Sequence, residues 1–214
     1  MWVVIELVLA ALIIVAGLLG FVPLSSTPFL LVVASVFLWW RGPGWRAIGL
    51  HRPSNARLAL GFGIAVGVGY QFLGLYLIEP LIAHVTSGEL PDVSQFRSLI
   101  GNETLLAFWL AMSWTLAAFM EEMVYRGWLM NRLAELLRFS TNGWIAGALV
   151  SSALFGVVHF YQGASGMIAT GLSGLVFACV YLATDHNLWA SILAHGFMDT
   201  VGFLMIYFGV YPGL

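Results

Sequence analysis

The sequence predicts an all-α, polytopic membrane protein with about seven transmembrane helices in one bundle. Three observations carry that expectation. Hydrophobic residues make up 61% of the 214 positions and charged residues only 8%. Soluble domains carry roughly a quarter charged residues, so this chain could not cover a water-soluble globule. Its apolar stretches recur at lengths suited to a hydrocarbon core about 30 Å thick. Inside lipid a segment must satisfy its own backbone polar groups, which makes such stretches helical. A chain of 214 residues accommodates one compact helical domain, residues 1–214, without a second soluble one.

The first span covers about 2–21. It lacks a basic n-region and a small-residue cleavage signal, and its apolar run is too long for a signal peptide, so it is predicted to stay uncleaved. The second covers 27–40 and is short unless it starts nearer Val22. A polar connector follows with Arg41, Arg46, Arg52 and Arg57, beside Trp39, Trp40 and Trp45 where an aromatic belt belongs. The third span covers 58–86, and the mostly acidic loop 87–103 has turn signals at Gly88, Pro91 and Gly101–Asn102. The fourth runs from near Thr104 to about Phe139 and is broken by Ser140–Gly143. The fifth covers 143–160, the sixth 167–183 and the seventh 188–212.

Arg132 and Arg138 fall on the same side as the basic connector if spans alternate. The positive-inside rule puts that side, and the N-terminus, in the cytoplasm. Net charge is −2 and lysine is absent, which argues against a nucleic-acid partner. The single cysteine, Cys179, excludes a disulfide framework and reads as a packed core thiol. No internal repeat suggests a duplicated transporter fold. Gly61, Gly63, Gly67 and Gly69, with Gly171 and Gly174, read as helix-packing glycines.

Ionisable residues inside spans are costly and mark function by default. Most of them fall in three segments. The fourth span holds Glu121, Glu122 and Arg126, the fifth ends with Phe155 and His159, and the seventh holds His195 and Asp199. Glu122 and Arg126 are four apart, share a helix face and can pair. Glu121 is rotated about 100° from Glu122, so one can face a cavity while the other braces the helix. His195 and Asp199 also share a face, and Phe155 places an aromatic wall beside His159. If spans four and five form a hairpin turning at 140, Glu121 and His159 lie level, at about 1.5 Å per residue. His195 lies only about 10 Å into span seven by the same rise. It meets them if the hairpin tip projects beyond the bilayer or if span five is broken.

Glu121-Glu122-Met-Val-Tyr-Arg126 resembles the EExxxR motif of the CaaX-protease and bacteriocin-processing family of intramembrane peptidases. Phe155-Gly-Val-Val-His159 is similar to its FxxxH motif, and His195-Gly-Phe-Met-Asp199 to its HxxxN/D motif. The ordered set covers about 115–205 and suggests a catalytic core at about 104–212. Asp199 stands where many members have asparagine.

The resemblance implies an intramembrane endopeptidase acting on a membrane-associated peptide or protein, in the plasma membrane of a prokaryote. Glu121 and His159 would activate water, His195 and Asp199 would stabilise the oxyanion, and Glu122, Arg126 and Phe155 would brace the site. A carboxylate among apolar groups is a better proton acceptor than one in water. The zinc-peptidase HExxH helix is absent, which favours a metal-free glutamate mechanism. A zinc site on Glu121, His159 and His195 is the alternative.

Two rivals compete. Gly163-Ala-Ser165-Gly166 and Gly171-Leu-Ser173-Gly174 fit the GxSG pattern of rhomboid-like serine peptidases, with His195 as base. A non-enzymatic immunity or transport protein could also use intramembrane Glu and His. Glu6 is left out of the site, as is Glu79, which precedes Pro80 and reads as an outer-end residue. His51 and His84 read as solvated surface, His186 as part of a short turn, and Tyr125 and Trp128 as packing residues.

Overall fold

The computed structural model describes residues 2–22, 25–42, 44–86 and 88–214. Pro23 and Leu24, Pro43 of the connector and Ser87 of the acidic loop lie outside them. Among the described residues the regular structure is wholly helical. The seven long helices are α1 (Trp2–Leu18), α2 (Thr27–Trp40), α3 (Ala56–Val85), α4 (Glu103–Leu136), α5 (Thr141–Val157), α6 (Gly163–Ala183) and α7 (Leu188–Tyr207). α3, α4, α7 and α6 with its preceding turn are long and apolar enough to cross a membrane; α1, α2 and α5 are shorter apolar helices.

Polar side chains set where the helices begin. Asn55, Asn102, Ser140 and Asn187 precede α3, α4, α5 and α7, and each accepts a backbone N–H of the first turn at 3.0–3.2 Å. Such caps satisfy donors that lack a partner within the helix.

α3 packs along α7 through two of the four glycines predicted to pack there, Gly61, Gly63, Gly67 and Gly69. A Cβ on Gly63 would lie 2.6 Å from the Leu193 Cβ, and one on Gly67 would run into the Ala194 carbonyl oxygen and lie 3.0 Å from the Met198 nitrogen. Gly61 and Gly69 face open space, so helix packing accounts for only half of the predicted set. Gly67→Ala should therefore push α3 off α7 and cost about 1–3 kcal/mol, read as a lower unfolding temperature in detergent. Gly69→Ala should leave that temperature unchanged or slightly higher, because alanine favours the helix.

Glu6 fastens one end of the bundle. Its buried carboxylate accepts from Arg41 at 2.7 Å and from the Trp128 indole at 2.8 Å, and Arg132 lies 3.9 Å away. Arg41 and Arg132 also pair with Glu135. This network joins α1, the end of α2 and the last turns of α4. An acidic residue near the start of a chain gave no spacing signal for this role. Cys179 differs from its predicted packing and lies on the exposed surface of the bundle.

Candidate active site

The site is built on a stretch of α4 where the winding changes. Residues Ser113–Glu121 and Met123–Leu129 form π-helical turns, whose i→i+5 bonding widens the turn beyond the usual 3.6 residues. Positions four apart then stay in one row, and Trp109, Ser113, Ala117 and Glu121 all line the same cavity. α3 has a similar turn at Gly74–Ile78, and Gly74, Ile78 and Glu79 form part of the opposite wall.

Adjacent glutamates point to different places, as their rotation predicts. Glu122 is fully buried, and its Oε1 accepts from the Arg126 guanidinium at 2.7 Å and from His195 Nδ1 at 3.1 Å. Arg126 donates its other terminal nitrogen to the Gly174 carbonyl at 2.8 Å and lies over the Phe155 ring, 4.6 Å from the centroid. Gly174 is needed there, because a Cβ would come within 2.9 Å of that guanidinium. Glu121 instead lines the cavity and forms no ion pair with another described residue.

His195 is held on three sides. Its ring stacks on Phe177 (centroids 4.6 Å apart, planes 17° apart) and meets the edge of Phe155. With Nδ1–H donated to Glu122, Nε2 is the nitrogen turned towards Asp199, whose Oδ2 is 3.6 Å away. Asp199 is fixed from α4 by the Ser113 hydroxyl, which donates to Oδ2 at 2.8 Å.

His159 departs from its predicted place on a continuous helix. α5 stops at Val157, and His159 has φ −93° and ψ 22° at the head of a short 3-10 turn. It stays beside Phe155 by bonding: Nδ1–H donates to the Phe155 carbonyl at 2.7 Å, and the two rings lie 4.8 Å apart. Nε2 therefore keeps its lone pair for the cavity. The break in span five is thus one of the two ways in which the three helices come level. Gly127 also abuts Leu188 at the start of α7, and α4 runs on past that contact to Leu136.

Glu121, Phe155, His159, His195 and Asp199 all line one cavity of about 600 Å³. From these groups it extends to Ser25, Phe96 and Tyr211, away from the end where Arg41, Arg46 and Arg132 cluster. Most of its lining is apolar, including Phe29, Met112, Phe203 and Ile206. Sequence reasoning missed Ser113, Tyr161 and Glu79 on its walls. Ser113 was legible as a buried hydroxyl in an apolar run, but nothing in the spacing tied it to a residue 86 positions later.

Two alternatives meet specific geometry. Among the described residues no three His, Cys, Asp or Glu side chains are grouped to hold a metal ion. Ser165 donates to the Glu89 carbonyl at 2.5 Å and Ser173 to the Ala169 carbonyl at 3.0 Å. Neither makes a hydrogen bond with a histidine among the described residues.

Residues 103–201 match the protein-family model described as type II CAAX prenyl endopeptidase Rce1-like. This segment is Rce1-like. The match spans α4 to most of α7 and contains every residue assigned above to the three motifs. The description names an endopeptidase, and the matched segment contains apolar helices long enough to cross a membrane. No curated protein and no solved structure matches the chain.

Proposed function

We propose that this protein cleaves a peptide or protein substrate at the membrane with water activated by Glu121 and His159. The observation that carries this reading is the convergence of Glu121 from α4, His159 from the turn after α5, and His195 and Asp199 from α7 on one largely apolar cavity.

In this mechanism a water sits between the Glu121 carboxylate and His159 Nε2. Glu121 takes its proton as the oxygen attacks the scissile carbonyl carbon. The carbonyl oxygen becomes an oxyanion beside the His195 imidazolium, which donates Nε2–H to it while Glu122 holds Nδ1–H. The C–N bond then breaks, and the proton held by Glu121 passes to the leaving amine. Arg126 neutralises Glu122, so the brace adds no free charge to the site.

The cleavage assay uses purified protein in detergent or vesicles and a candidate membrane peptide, with and without chelator. Cleavage should persist with chelator and in Ser165→Ala and Ser173→Ala. Loss on chelation with recovery on added zinc would replace this mechanism with the metal one, and loss in a serine variant would favour the rhomboid-like one.

Asp199 supplies a further test. Asparagine keeps the shape and can still accept from Ser113, so Asp199→Asn should retain activity within about tenfold. Asp199→Ala leaves Ser113 without its acceptor and frees the His195 edge. It should lower kcat by about 10²–10³-fold, as removal of an oxyanion-side group does.

A further inference from the structure

Glu79 occupies an unusual position. It lies in α3 immediately after the π-helical turn and before Pro80, and its side chain forms part of the cavity wall. Its neighbours there are uncharged: Tyr70 and Tyr211 are close enough to interact with it electrostatically, and Gly74 lies beneath Oε1. Among the described residues Glu79 forms no ion pair, and no arginine lines the cavity. The other acidic groups of the wall are Glu121 and Asp199, the latter with its Oδ2 3.6 Å from His195 Nε2.

A carboxylate in a membrane-spanning helix is costly unless something compensates it. Glu122 and Glu6 are compensated by arginines within the fold. No arginine of the fold compensates Glu79, so a cation that enters the cavity can do so. We propose that Glu79 is a specificity subsite that binds a lysine or arginine side chain of the substrate peptide, while the apolar walls take its neighbouring residues. A charge-assisted hydrogen bond to a partly buried carboxylate is stronger than a neutral one and favours the cation. An acidic substrate residue placed beside Glu79 would meet a like charge and no arginine.

The inference rests on the peptidase reading, so its test has a cleavage arm and a binding arm. The probes are matched membrane peptides that differ at one position, scanned along the chain: lysine, norleucine or glutamate. Wild type should cleave the best-placed lysine peptide at least tenfold faster in kcat/KM than its norleucine twin. Glu79→Gln should abolish that preference, and Glu79→Lys should shift it towards glutamate. In the binding arm, Glu121→Gln protein should hold the lysine peptide at least tenfold more tightly than Glu121→Gln/Glu79→Gln protein. Equal effects of Glu79→Gln on lysine and norleucine peptides in both arms would overturn the subsite. Glu79-dependent binding of the lysine peptide without cleavage by wild type would retain the subsite and sink the peptidase reading instead.

Discussion

Replacing Glu121 by glutamine should abolish cleavage almost completely, lowering kcat by about 10³–10⁴-fold, the upper part of the range for a positioned general base. The amide has the shape of the carboxylate but cannot accept the proton of the attacking water. Folding should be unaffected, because Glu121 pairs with no charged group among the described residues. The measurement is cleavage rate alongside the unfolding temperature in the same detergent. A variant that folds normally and still cleaves within tenfold of wild type would remove Glu121 from the chemistry. A variant that cleaves poorly because it unfolds would make Glu121 a structural residue. A protein acting only by binding a membrane partner should keep its function in this variant.

The largest stability effect is expected at the neighbouring brace. Arg126→Leu leaves the fully buried Glu122 carboxylate facing His195 alone, with no guanidinium beside it. Removing one partner of a buried pair typically costs about 3–5 kcal/mol, because the charge left behind loses its closest compensation. The Gly174 carbonyl also loses its donor, and Phe155 loses the cation over its face. The double variant Glu122→Leu/Arg126→Leu should recover much of the loss while remaining inactive, since His195 then has no acceptor for Nδ1–H. Thermal unfolding of the single and double variants gives the comparison. If Arg126→Leu unfolds within about 1 kcal/mol of wild type, the pair is not a brace.

These two expectations differ although the residues are adjacent, and the difference was partly legible in the sequence. An i,i+4 Glu–Arg pair announces itself by spacing, and the residue before it must point elsewhere on any helix. Spacing could not show that α4 winds with wide turns there. That winding lies where α2 and α7 pack against it, and it brings Ser113 into the row that reaches Asp199. His159 shows the same limit. Its place four residues after Phe155 suggested a shared helix face, whereas the helix ends first and the imidazole returns by bonding the Phe155 carbonyl. Glu6 and Glu79 carried no motif, so their opposite fates, one fastened by arginines and one left on a cavity wall, were invisible from position alone.

The sequence by itself determined the membrane class, the helical content, the order of the helices and the three segments that carry costly polar groups. It could do so because these follow from composition and from periods of a few residues, which are local properties of the chain. Only the tertiary structure decided which glycines pack, which carboxylates are neutralised and which face a cavity. Those outcomes depend on residues as far apart in the chain as Gly67 and Met198, and the free energy of a buried charge is set by the groups that surround it in space.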